Sequence, residues 1–156
     1  MLNKIKIATW NTNGLSPNKG EVEVLLKMHD LDILLIAETH FTKNSQIYIK
    51  NYNIYTTNHP DGTAHGGTAV LIKSTIDHYE LPSYTTEHIQ ATSIQIQDRN
   101  GQFSVSSVYC PPKHKIIEEQ FSAYFESLGT RFIAGEIGTL SIHTGVPGCP
   151  PQEEDN

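Results

Sequence analysis

Asn11, Glu38 and Tyr109 are side chains whose types, taken together, suit phosphate-ester chemistry. A carboxylate holds a hard divalent cation, while an amide and a phenol supply hydrogen bonds to phosphate oxygens. Each also has a plainer reading by itself: Asn11 as a turn residue, Glu38 as a solvated strand end, Tyr109 as a half-buried packing residue. His40 follows Glu38 by two residues and could face the same pocket from a strand end. His29, His78, His88 and His114 show no metal-ligand spacing and read as surface or packing residues. The joint reading depends on the elements that deliver the three residues to one edge.

Residues 5–10 are a short β-rich run that stops at NTNG, where Asn and Gly tolerate the left-handed backbone of a turn. Ser16-Pro17 then opens a segment with Val22, Leu25, Leu26 and Met28 at helical spacing. The run LDILLIA at 31–37 is continuously apolar, as in a strand buried on both faces, and Glu38 follows it directly. Strand, helix, strand in this order predicts a right-handed crossover, with Asn11 and Glu38 at the C-terminal edge of neighbouring strands. Short strands are expected next over 52–57, 67–73, 89–97 and 103–109. The last two are expected to form an antiparallel hairpin across Asp98-Arg99-Asn100-Gly101, because Asn-Gly favours positive φ at a reversal. Ile116, Ile117, Phe121, Tyr124, Phe125 and Leu128 predict a second amphipathic helix over 115–128, with Gly129 able to end it, and RFIA at 131–134 begins another strand.

The 156 residues suit one domain, and 11 Lys and Arg against 17 Asp and Glu leave a formal charge of −6. That balance, without a dense basic stripe, argues against autonomous affinity for nucleic acid. No run approaches a membrane span, and the first residues lack the apolar stretch of a signal peptide, so an intracellular protein is expected. Cys110 and Cys149 are too few for a disulfide scaffold and read as free thiols. The stretch 136–156 holds four acidic residues, no Lys or Arg, and the turn-rich string GVPGCPP, so regular structure is not expected there.

The strings WNTNGL at 10–15, IAETH at 36–40, HPDGTAHGGTAVLIK at 59–73, VYCPP at 108–112 and RFIAG at 131–135 stand in register. Together they closely resemble the endonuclease domain of jockey-like non-LTR (LINE-type) retrotransposons, within the endonuclease/exonuclease/phosphatase superfamily. The resemblance covers residues 5–135. One departure is His65, where most relatives carry Arg before the glycine pair. The resemblance implies a two-sheet α/β sandwich, incomplete here, that nicks DNA using Mg²⁺ or Mn²⁺. It implies Glu38 as the metal-binding carboxylate, Asn11 as an active-site amide near metal and phosphate, and Tyr109 as a phosphate or transition-state contact. Asn13 is implied as a further, outer-shell candidate. DNA is the implied partner, the nucleus the implied location, and a reverse transcriptase domain is expected in cis in a full-length parent.

After RFIAG the resemblance breaks. The family reads GDFNA or GDWNA, where the Asp positions or deprotonates the attacking water and the Asn binds phosphate. Here the residues are Glu136-Ile137-Gly138-Thr139-Leu140, and the later Ser-Asp-His motif is absent. Back-translated with permitted codons, 135–149 can be read two bases later as GDWNAKHTHWGSRL, which restores the missing string. A frame change near codon 135 is therefore expected. It divides the chain into 1–135, the N-terminal part of the family domain, and 136–156, an acidic tail expected to be disordered. The expected function is a truncated, inactive derivative of the DNA endonuclease, with weak or absent metal binding, so whether this chain is an enzyme stays open. The alternatives are a functional endonuclease fragment of a longer reverse-transcriptase polyprotein and a co-opted non-catalytic binding module.

Overall fold

A computed structural model describes residues 4–86, 88–99, 101–111, 118–136 and 142–144. The first half forms β1 (Ile7–Asn11), a 3-10 turn (Ser16–Asn18), α1 (Lys19–His29), β2 (Ile33–Ala37), β3 (Tyr52–Thr57) and β4 (Thr68–Lys73). The second half forms β5 (His78–Glu80), β6 (Tyr84–Thr85), β7 (Gln90–Asp98), β8 (Gly101–Tyr109), α2 (Glu118–Ser127), β9 (Phe132–Glu136) and β10 (Ile142–Thr144). Pro17 near the start of the 3-10 turn fits a position where a backbone N–H has no helical partner. Asp30, left-handed at φ 47°, closes α1 by giving its N–H to the carbonyls of Leu26 and Lys27.

The elements make two sheets. One is ordered β1-β2-β4-β3, with β1 and β2 parallel and the other pairs antiparallel. The other is ordered β10-β9-β8-β7-β5, with β6 also on β7 and only β8 and β9 parallel. The two-residue period of a strand explains how β2 serves two cores at once. Ile33 and Leu35 face the second sheet, where they join Val70, Ile72, Ile94, Ile96 and Val105. Leu34 and Ile36 face the other way, onto Val22 and Leu26 of α1. All five β2 residues are buried, as the continuous apolar run requires. A third cluster, with Ile89, Val108, Phe121, Tyr124 and Leu128, places α2 on the outside of the second sheet. The result is a sandwich with one helix on each outer face, the fold class expected.

The β7–β8 hairpin reverses where expected, Asp98 facing Gly101 in register and Gly101 standing at φ 112°. Asn100, the other half of that turn signal, lies outside the described residues, as do 115–117 of the second helix. Two short strands, β5 and β6, were not expected from the sequence. They are three and two residues long, too short to show a period, and exist by pairing along β7. One expectation needs correction. Residues 142–144 of the acidic tail are not irregular but form β10, antiparallel to β9 with Ile142 opposite Gly135 and Thr144 opposite Ile133. Ile and Thr are β-branched, and β9 offers an open edge whose N–H and C=O groups need partners, so three residues suffice to pair.

Candidate active site

β1 and β2 run parallel in register, so Asn11 lies opposite Ala37 and the chain leaves both strands at the same edge. The two exit loops are then laced together. Thr12 N–H reaches the carbonyl of Ala37 at 3.1 Å, Gly14 N–H that of Glu38 at 2.8 Å, and Leu15 N–H that of Thr39 at 2.9 Å. The buried Thr12 hydroxyl adds a bond to the Glu38 carbonyl at 3.2 Å. Three non-glycine residues here hold left-handed backbone: Asn13 at φ 46°, Glu38 at φ 52° and His40 at φ 56°. Such conformations cost roughly 1–3 kcal/mol each where the side chain does not favour them, and they persist because the surrounding bonds over-determine them. The strain turns the Glu38 carboxylate away from the strand direction and toward the second sheet.

Tyr109 arrives from that second sheet as the last residue of β8. It is buried, and its hydroxyl stands against the Glu38 carboxylate. Burial first, and the negative charge of Glu38 second, push the phenol up to about 12, so it stays a proton donor at neutral pH. Asn11 is exposed, and its Oδ1 accepts the Asn13 N–H at 3.1 Å. That local turn uses the amide oxygen and presents the NH₂ end outward as a donor. Asn13 itself is exposed and contributes its backbone to this turn. His40 Nε2 stands 3.9 Å from Glu38 Oε2, the same pocket that its spacing suggested.

The glycine pair joins the two sheets at this edge. Its carbonyls receive the amides of the Glu38 loop, His40 N–H on Gly66 at 3.0 Å and Thr39 N–H on Gly67 at 3.4 Å. A Cβ on Gly67 would meet Thr39 Oγ1 at 2.5 Å, and one on Gly66 would meet Gln90 Oε1 at 2.7 Å and Tyr109 Cε1 at 3.2 Å. Both residues also stand at positive φ, so glycine is required twice over. Sequence reasoning used this pair only as part of a motif. It missed Gln90, whose side chain is fully buried, accepts Gly67 N–H at 3.0 Å through Oε1, and leaves Nε2 without a partner among the described residues. A buried threonine triad fixes the same corner, Thr92 giving its hydroxyl to Thr57 at 2.8 Å and lying 2.9 Å from that of Thr68. No local pattern in the sequence marks either feature.

The groups at this edge are a carboxylate, an amide, a phenol, the His40 imidazole and a threonine-rich wall, and apart from the imidazole the available ligands are hard oxygens. That donor chemistry fits Mg²⁺ or Mn²⁺, which is commonly held by one or two carboxylates with substrate oxygens completing the shell. A two-sheet α/β sandwich with an oxygen-donor edge of this kind belongs to the class of folds that handle phosphate esters. The chain belongs to the Endonuclease/Exonuclease/phosphatase family, whose model matches residues 8–154. Nucleases of this family are generally dependent on a divalent metal.

Among curated proteins, the RNA-directed DNA polymerase from mobile element jockey of Drosophila melanogaster is 37% identical over 131 residues, 84% of this chain. The probable RNA-directed DNA polymerase from transposon X-element of the same fly is 34% identical over 130 residues. The chain spans only 14% of either relative's length. Among solved structures, the endonuclease domain of TRAS1, a telomere-specific non-LTR retrotransposon, matches with a TM-score of 0.63 at 20% identity, covering 85% of this chain and 59% of that one. The catalytic domain of Xenopus laevis APE2 matches with a TM-score of 0.57 at 20% identity, covering 96% and 62%. Among the described residues no helix is long and apolar enough to cross a membrane.

Proposed function

We propose that this chain derives from the N-terminal part of a retrotransposon-encoded DNA endonuclease that nicks target DNA with the help of Mg²⁺ or Mn²⁺. The observation that carries this reading is the Tyr109 hydroxyl set against the Glu38 carboxylate at the shared end of both sheets, in a chain of this family. Glu38 is the residue that would hold the metal, which supplies charge neutralisation on the phosphate when bound. Asn11 would offer its NH₂ to a phosphate oxygen, Tyr109 its proton to a second, and Asn13 would be a weaker, outer-shell contact. Target DNA is the partner, a reverse transcriptase domain in cis is the setting, and the nucleus is the place of action.

The chain by itself is a poor catalyst in this proposal. Where β9 ends, at Glu136, the residues that follow lack the Asp and Asn that the family places there. A single site carboxylate binds Mg²⁺ weakly, and groups that act as a unit lose about three or more orders of magnitude in rate when members are missing. The shifted reading GDWNAKHTHWGSRL explains the loss: residues 136–156 come from a changed frame rather than from the ancestral domain.

Conversion of supercoiled plasmid to open circle in Mg²⁺ tests this. The 156-residue chain is expected to give no nicking above background, while a chain continued in the other frame after residue 135 nicks and loses that activity in Glu38→Gln. Robust nicking by the short chain, abolished by Glu38→Gln, overturns the inactive reading. A soluble frame-corrected chain that never nicks overturns the endonuclease reading. Sequencing of the gene and transcript across codons 130–156 tests the frame change directly, because the codons used must themselves spell the restored string.

A further inference from the structure

The loop between β3 and β4 carries a second group of possible ligands that the Glu38 edge does not use. His59, Asp61 and His65 each offer one ligand atom, and these atoms lie within 4.8 Å of one another. The hydrogen bonds around them decide which lone pairs are left. Asp61 Oδ1 already accepts from Thr63 N–H at 2.8 Å and from the Thr63 hydroxyl at 2.8 Å, and lies 2.9 Å from His59 Nδ1. Oδ2 faces His65 Nε2 at 3.3 Å. Both ring nitrogens of His65 thus lie within reach of oxygen partners, Nδ1 of the Thr63 hydroxyl and Nε2 of Asp61 Oδ2.

His59 repeats the pattern. Its Nδ1 stands 2.9 Å from Asp61 Oδ1 and 3.3 Å from the Asp61 backbone nitrogen. Two imidazoles thus crowd one carboxylate, with the rings only 3.9 Å apart between centroids and tilted by 41°. One divalent cation is a single centre on which all three groups can close.

We propose that His59, Asp61 and His65 bind a borderline transition-metal ion, Zn²⁺ or a close relative, as a three-ligand site on the β3–β4 loop, separate from the Glu38 edge. Two imidazoles and one carboxylate form a set that suits Zn²⁺ and disfavours Mg²⁺, and the Thr63 hydroxyl beside His65 Nδ1 plays the outer part. A tetrahedral ion at about 2.0–2.1 Å from its ligands needs them about 3.3 Å apart, a contraction that side-chain rotation in an exposed loop supplies. Three protein ligands leave a fourth position for water or an anionic oxygen. That position lies beside the reactive edge, since a Cβ on Gly66 would touch both His59 Cδ2 and Tyr109 Cε1 at 3.2 Å.

Titration of the full chain with Co²⁺ in saturating Mg²⁺, followed by the visible absorption of tetrahedral cobalt and then by displacement with Zn²⁺, tests the proposal. One equivalent is expected to bind, with affinity falling about tenfold or more in His65→Ala and in Asp61→Asn and unchanged in Glu38→Gln. Absence of binding, persistence of full affinity in both loop variants, or loss in Glu38→Gln overturns it. If the loop variants do not fold, amide exchange of the unaltered chain decides. Slowing by Zn²⁺ confined to residues 58–66 supports the site, and no slowing there overturns it. None of these readouts depends on nicking, so their failure is distinct from failure of the endonuclease reading.

Discussion

Glu38 shows at the scale of one residue how function and stability are set against each other. Its φ of 52° is a conformation that glutamate rarely adopts, yet it turns the carboxylate to meet Tyr109. Glu38→Gln preserves shape and an acceptor for Tyr109 but removes the charge. It is expected to leave the unfolding midpoint in urea nearly unchanged while lowering Mg²⁺ affinity about tenfold, as the loss of a charged hard ligand should. Equal Mg²⁺ affinity in isothermal titration would exclude Glu38 as the ligand. Gly67 gives the opposite case, where no charge is involved. Gly67→Ala forces a Cβ to 2.5 Å from Thr39 Oγ1 at a φ of 83°. A loss of about 1–3 kcal/mol is expected from the backbone strain alone, together with displacement of the Thr39–His40 loop. A chemical-denaturation curve coincident with that of the unaltered chain would contradict it.

Among the elements, the side of the second sheet that receives α2 carries a polar junction within its apolar cluster. Tyr124 is 1% exposed, and its hydroxyl meets Ser93 at 2.8 Å and also Ser106, which bond each other at 2.8 Å. Ser104 gives its hydroxyl to the Leu128 carbonyl at 2.7 Å, tying the residue after α2 to β8. Tyr124→Phe leaves the serine pair bonded to itself, so a modest loss of about 1 kcal/mol is expected in urea unfolding. Thr92→Val is expected to cost more, about 1–3 kcal/mol, because Thr57 and Thr68 are then left facing a methyl group inside the protein. The reverse order of these two losses would mean that the α2 contact, not the threonine triad, is the tighter polar junction. Helical periodicity announced α2 and even its buried Phe121 and Tyr124. The serines of β7 and β8 carried no such signal, since their partners are supplied by another element.

For the whole molecule, the order of strands within each sheet ranks their local stability. β2, β4, β7, β8 and β9 have a neighbour on both sides, β9 with only the three-residue β10 on one of them, whereas β5 and β10 stand at the ends of the second sheet with three residues each. Amide exchange is expected to be slowest in β2 and β8 and fastest in β5 and β10, with β9 intermediate. Protection of β10 equal to that of β8 would show that the acidic tail is part of the cooperative core.

Much of this architecture is written locally. The apolar run of β2, the helical spacing of α1 and α2, and the Gly101 reversal each follow from residues within one or two turns of each other. The sequence by itself also determined the family, because five strings in register survive in 1–135, and it brought Asn11 and Glu38 to one edge through a strand–helix–strand unit. Tertiary structure alone decided what Glu38 meets. The Ser107 hydroxyl reaches the Ile36 carbonyl at 2.7 Å, and two residues further along each strand Tyr109 closes on Glu38. It alone decided that His59, Asp61 and His65 converge beside that contact and that 142–144 pair with β9. The reason is physical: periodicity reports which face of an element is apolar, whereas which two faces meet, and in what register, is set only when the sheets pack and their buried hydroxyls and lone pairs find partners.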